Sequence, residues 1–221
     1  LQKYLICSDV LTTFEHHKLG EMPIRKENTL EHKLSLIPEG ELVFLSDFPE
    51  YDSSSVCRVL AEKCSSGEYV KVSKGIYCKA RMTKFGPIMP SVEKVLDAIA
   101  RRDKAKILPS GNAALNSLGM SEQVPMRLTY LTSGSARVID LGGLSIKLKR
   151  SVPKTFEFKG QFYALLTQAL KTIGKDNLTP DQESLIARLL VENPESDTCE
   201  HDIRLMPVWM QKTINRLRKQ I

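Results

Sequence analysis

Between Glu27 and Lys79 the sequence changes its hydrophobic period three times in about fifty residues, and few arrangements tolerate that order. Leu30, Leu34 and Ile37 recur at helical spacing, and Pro38-Glu39-Gly40 stops the helix. Leu42-Val43-Phe44 is a short strand-like run, and Ser46 then caps a short helix through about Tyr51, with Asp47 in its first turn. A longer helix begins at Asp52 or Ser53, carries Val56, Val59 and Leu60 on one stripe, and ends near Gly67. Tyr69-Val70-Lys71-Val72 and Ile76-Tyr77-Cys78-Lys79 flank a Ser73-Lys74-Gly75 turn, which reads as a β-hairpin. Helix, strand, short helix, helix, hairpin is the order of a winged helix-turn-helix.

Past Phe85 the pattern loosens and then resumes. Gly86-Pro87 and Pro90 read as a linker, and Ser91 caps a helix carrying Val92, Val95, Leu96 and Ile99. Pro109-Ser110 opens a short helix over Ala113–Leu118, closed by Gly119. The period then drops to two. Leu128–Thr132, Ala136–Leu141 and Leu144–Leu148 are strands, the last two joined by Gly142-Gly143, a strong hairpin signal. The rest is helical: Phe162–Ile173 ending at Gly174, a helix opened by the capping box Thr179-Pro180-Asp181-Gln182, and a last helix from Pro207. The expected class is α+β: an N-terminal winged helix-turn-helix over 22–85, then a domain over 86–221 with helices packed on a small, mainly antiparallel sheet. Residues 1–21 read as an extension of unknown role, with Met22 a candidate native start.

Charge is distributed in blocks. The net charge is +6, yet residues 52–85 hold seven basic and three acidic groups, and 101–150 hold nine and three. Residues 1–51 and 151–202 are each net −4, and the segment after Asp202 holds five basic groups and no acidic one. Alternating blocks point to discrete basic surfaces facing an anionic partner, nucleic acid foremost. No run approaches the roughly 18 apolar residues of a membrane span. The first residues also lack the apolar block of a signal peptide, so the expectation is a cytoplasmic chain with no membrane partner.

Reactive constellations are not evident. Position 169 is alanine where a phosphate-binding P-loop before Gly174-Lys175 needs glycine, and there is neither a G-x-S-x-G elbow nor an H-E-x-x-H pair. Five widely spaced cysteines form no C-x-x-C pair, and Cys199-Glu200-His201 lacks a second ligand pair. Cys57 and Cys64, seven apart, read as small apolar groups on one helix face. Neither a catalytic residue, nor a metal, nor a cofactor is expected.

Gly75-Ile76-Tyr77, the run Pro109-Ser110-Gly111-Asn112-Ala113-Ala114-Leu115-Asn116-Ser117-Leu118-Gly119-Met120-Ser121, Gln123-Val124-Pro125 and Tyr130-Leu131-Thr132-Ser133-Gly134 together resemble AbiEi-type antitoxins of type IV toxin–antitoxin systems, which act in abortive infection and phage defence. Ala169-Leu170-Lys171 and the segment around Trp209 continue the likeness. The resemblance implies a winged helix that represses its own operon and a C-terminal domain that counteracts a nucleotidyltransferase-like toxin without a stable complex. On their own residue types, Ala113, Ala114 and Gly119 in the central run read as a helix packed tightly on the sheet.

In such a winged helix-turn-helix the second helix enters the major groove and the hairpin reaches backbone. Ser53, Ser54, Ser55 and Arg58 would then face operator DNA, with Arg58 suited to guanine, and Lys71, Lys74 and Lys79 would contact phosphate. Neutralisation would fall to basic surfaces of the second domain, Arg127, Arg137, Lys147 and Lys149, and to Lys212, Arg216 and Lys219 on the last helix, an RNA target being conceivable there. The two functions are expected to be separable at the 86–90 linker. The competing expectations are a stand-alone winged-helix regulator and an RNA- or protein-binding interaction module.

Overall fold

The structure is a computed structural model that describes residues 29–123, 125–193 and 198–220. The extension over 1–21 and the candidate start at Met22 lie outside the described residues. The chain divides into two units at Ile37/Pro38. In the first, Thr29 caps helix α1 (Leu30–Leu36), its Oγ1 accepting from His32 N–H at 3.3 Å. The beginning of this helix expected at Glu27 lies outside the described residues.

The second unit opens with strand β1 (Leu42–Phe44), and a single 3-10 turn, Leu45–Asp47, stands where a short helix through Tyr51 was expected. Asp47, not Ser46, holds it: its carboxylate accepts from Phe44 N–H at 2.8 Å. Helix α2 (Ser53–Ser65) follows, capped by Asp52, and buries Val56, Val59 and Leu60. Strands β2 (Tyr69–Ser73) and β3 (Ile76–Lys79) form the expected hairpin, with Gly75 at φ +72° in its turn. β1 pairs antiparallel with β3, giving the order β1-β3-β2.

After Ala80 the expected linker is instead a second hairpin, β4 (Arg81–Thr83) and β5 (Gly86–Ile88). Pro87 fits because it lies opposite Met82, one step from the Thr83/Gly86 pair at the turn, where an N–H points away from the partner strand. Helix α3 (Val92–Asp103) is capped by Ser91 as expected. Pro109 and Ser110 do not open a helix. They end strand β6 (Ile107–Ser110), and Gly111 turns the chain into helix α4 (Asn112–Ser117) with no side-chain cap. Strands β7 (Arg127–Thr132), β8 (Arg137–Leu141) and β9 (Leu144–Arg150) complete a four-stranded sheet in the order β6-β7-β9-β8. Its pairs are antiparallel at β6/β7 and β8/β9 and parallel at β7/β9, because the Gly142-Gly143 hairpin lays β9 beside β7. Helices α5 (Gln161–Ile173), α6 (Pro180–Glu192), α7 (Cys199–Leu205) and α8 (Val208–Arg218) close the fold, an α+β arrangement.

Two cores organise these elements. Leu166, Leu170, Ile186, Ile203, Met210 and Ile214 of the closing helices pack with Ala114 and Leu118. The other core joins Phe44, Val72, Ile76 and Cys78 to Val95 and Ile99 of α3 and to Ile139, Ile146 and Leu148 of the larger sheet. Residues on both sides of the 85/86 boundary therefore share one interior. Removing either side would expose large buried apolar side chains, at roughly 1.5–3 kcal/mol each.

Asp202 ties the helical part together. It is completely buried, and its carboxylate accepts from the N–H groups of Lys159 (2.9 Å) and Gly160 (2.7 Å), at the N-terminus of α5. Burial opposes its charge, but those two N–H groups and the His201 ring outweigh burial and hold its carboxyl below the usual value. A side chain at residue 160 would crowd it: a Cβ on Gly160 would stand 3.0 Å from Asp202 Oδ2, so the carboxylate would have to give way.

Candidate nucleic-acid interface

Burying Val56, Val59 and Leu60 turns the opposite side of α2 outward, so Ser53, Ser54, Ser55 and Arg58 are all exposed. The cap at this end is an acid. Asp52 accepts from the N–H groups of Ser54 (3.1 Å) and Ser55 (3.3 Å) and from the Ser54 hydroxyl. These bonds, that of the Ser54 side chain foremost, hold its carboxyl below the usual value. A carboxylate thus occupies the helix N-terminus and offsets the positive end of its dipole. Arg58 Nη1 meets Glu62 Oε1 at 3.1 Å in an exposed pair one turn apart. Such pairs are worth only about 0.3–0.5 kcal/mol, so Arg58 leaves Glu62 readily for a better acceptor.

Cys57 and Cys64 on α2 are half-buried. Burial raises the Tyr77 hydroxyl, and the Cys57 and Cys64 thiols add to that shift. Cys78 and Cys199 are buried, the latter with its thiol 2.9 Å from Tyr163 Oη.

The hairpin lysines are spread along its length. Lys71 is exposed on β2, Lys74 is exposed at the tip, and Lys79 is half-buried at the base, where its backbone bonds Gly40 and Glu41. The tip is held on both sides. Leu45 N–H donates to Gly75 O at 3.3 Å, and Ser73 Oγ donates to the carbonyl of Val138 on β8 at 2.9 Å. Between them lies an open hollow of about 750 Å³, lined by Ser46, Lys74, Gly75, Arg102, Asp103 and Arg137 among others. Asp103 bridges the two arginines, at 2.7 Å from Arg102 Nε and 2.6 Å from Arg137 Nη2. Arg102 also stacks over Phe44, 4.4 Å from the ring centroid.

Arg137 thus stands apart from the residues grouped with it by sequence. Its register partner is Leu148, whereas Arg127, Lys147 and Lys149 align with Ser145, Thr129 and Leu131 on the sheet's other face. Arg127 and Lys147 line an open hollow of about 500 Å³ there, with Val138 exposed between. On α8, Lys212 is exposed, and Lys219 is exposed at the C-terminal cap. Arg216 is matched by both carboxylate oxygens of Glu183 on α6, at 2.5 and 3.1 Å, a fork that favours its charged form.

Sequence reasoning missed Arg102 and Asp103 as parts of one site with Lys74. The Asp103–Arg137 pair crosses from α3 to β8 over 34 residues, and no local spacing announces that. Among the described residues, no group of three or more His, Cys, Asp or Glu could hold a metal ion, and no helix is long and apolar enough to cross a membrane.

A family model matches residues 29–198, more than half of the chain. The chain belongs to DUF6088, a family of unknown function. No curated protein and no solved structure matches it. In this DUF6088 chain the matched span covers α2, both hairpins and the whole mixed sheet, and it stops before α7.

Proposed function

We propose that this DUF6088 chain is a cytoplasmic DNA-binding antitoxin that represses its own operon and counteracts a nucleotidyltransferase-like toxin. One observation carries the DNA-binding half: α2 presents Ser53, Ser54, Ser55 and Arg58 to solvent, backed by the β1-β3-β2 sheet with Lys71 and Lys74 exposed beside it. In a winged helix-turn-helix, α2 lies in the major groove, Arg58 reads a guanine and the serines bond phosphate or base edges. Lys74, with Arg102 and Arg137 around the same hollow, supplies the sequence-independent attraction to phosphate. The antitoxin half rests on the sequence resemblance, and the Arg127, Lys147 and Lys149 face is the surface assigned to it. This function involves no catalytic step and no cofactor.

The test has two arms. The purified full chain is titrated against duplexes tiling the DNA upstream of its gene, and a reporter driven by that DNA is measured with and without the chain. Separately, cells expressing a nucleotidyltransferase-like protein encoded beside the gene are scored for growth with and without the chain. Specific binding, repression and restored growth support the assignment. A chain that binds none of the duplexes overturns the first half, and growth arrest that the chain leaves unchanged overturns the second.

A further inference from the structure

Hairpin β4–β5 is unusual in what it exposes. Arg81, Met82, Thr83, Lys84, Phe85, Pro87 and Ile88 all face solvent, and Phe85 is fully exposed. Single exposed apolar residues are ordinary on a protein surface. Three large ones stand within this one eight-residue hairpin, Met82 and Ile88 on its opposite faces and Phe85 at its tip. The tip is also pinned: Thr83 Oγ1 accepts from Phe85 N–H at 3.3 Å and donates to Gly86 O at 2.8 Å, with Gly86 at φ +111°. Phe85 is thus held outward on an ordered turn.

Charge selects the occupant. Residues 81–88 contain Arg81 and Lys84 and no acidic residue, and they extend the block from 52 to 85 that is net +4. The hairpin leaves β3 after Ala80 alone, at the end of the small sheet opposite the Lys74 tip, with about 13 Å of strand between the two ends. A basic finger tipped by a fully exposed aromatic ring, continuous with strand β3, matches the apolar wedges that enter a minor groove and part a base step.

We propose that β4–β5 is a second DNA-contact element, in which Phe85 wedges between base pairs from the minor groove and Arg81 and Lys84 hold the flanking phosphates. This rests on the DNA-binding assignment of α2. It predicts that bound DNA is kinked, by an angle in the roughly 20–90° range of wedge-inserting proteins.

The experiment uses the full chain and the upstream duplexes, dye-labelled at both ends to read bending and carrying 2-aminopurine to read unstacking. The variants are Phe85→Ala, Phe85→Leu, Arg81→Ala with Lys84→Ala, and Arg58→Ala, each checked for an unchanged melting temperature. Expected are a bend and an unstacking signal with wild type, and both lost in Phe85→Ala with affinity down about tenfold. Phe85→Leu keeps most of the bend, because leucine also serves as a wedge. The Arg81/Lys84 variant lowers the salt slope by about two. A Phe85→Ala protein that binds and bends like wild type while Arg58→Ala fails overturns the wedge and leaves the α2 assignment standing. Wild type that binds no duplex even at low salt overturns both. A wild-type dimer in sedimentation that Phe85→Ala converts to monomer assigns Phe85 to a second copy and overturns the wedge.

Discussion

The Ser73 hydroxyl donates to the Val138 carbonyl at 2.9 Å across 65 residues of sequence, fastening the β2–β3 tip to β8. Behind that bond Val72 and Ile76 share a core with Ile139 and Ile146. A hairpin fastened in this way holds the backbone at Lys74 in place, so less order would have to be imposed on binding the proposed DNA. It also makes the two sides of the 85/86 boundary one folding unit.

Residues 38–221 should therefore unfold in a single transition, with Trp209 fluorescence and far-ultraviolet circular dichroism giving the same urea midpoint. Ser73→Ala should lower stability by about 1 kcal/mol and leave the transition single. Two resolved transitions would show that the shared core does not couple the halves.

Asp202→Asn should be among the more damaging polar substitutions, at about 2–4 kcal/mol, because the buried N–H groups of Lys159 and Gly160 lose their charged acceptor. The sign of the pH dependence follows from its lowered pKa. The stabilisation is fully present above the unfolded aspartate value of about 3.9 and is lost as pH falls through the folded value below it. Denaturation midpoints from pH 2 to 7 should fall less steeply on the acid side in Asp202→Asn than in wild type. Parallel curves for the two proteins would contradict this.

The legible parts of the fold were those fixed by neighbours in sequence. The Thr179–Gln182 box, the Ser91 cap, the Gly142-Gly143 turn and α2 each announce themselves within four residues, and each stands where expected. Strand β6 did not, because Pro109-Ser110 carries the signature of a helix start, and its strand state comes from pairing with Tyr130 and Thr129. The β4–β5 hairpin was hidden by Pro87 for the same reason, although Thr83 and Gly86 around Lys84-Phe85 were a readable turn signal. The Asp202 cap on α5 and the Asp103 bridge were beyond reach: their partners lie 42 and 34 residues away.

Asp103→Asn removes the carboxylate between Arg102 and Arg137 and leaves two guanidinium groups facing each other beside Lys74. Stability should fall by about 1–3 kcal/mol. DNA affinity at low salt should rise, since the hollow gains a net positive charge. Thermal melting and fluorescence anisotropy measure the two effects, and a folded variant with weakened low-salt binding would separate the hollow from the DNA surface.

Lys147→Glu with Lys149→Glu reverses charge on the exposed sheet face while leaving Ile146 and Leu148 in the core. Growth rescue from the toxin should be lost, with repression of the reporter kept within about twofold, as surface substitutions change stability by roughly 0.5 kcal/mol or less. Undiminished rescue would remove this face from the antitoxin surface.

The most direct measurement is the affinity of the Arg58→Ala, Lys74→Ala variant for the upstream operator duplex across a salt series, beside wild type. The variant should lose discrimination between operator and scrambled duplex, at about 1–3 kcal/mol for the Arg58 contact, and its salt slope should be shallower by about one for Lys74. A variant that binds operator DNA with wild-type affinity, selectivity and salt slope would contradict the assignment of α2 and its hairpin to DNA.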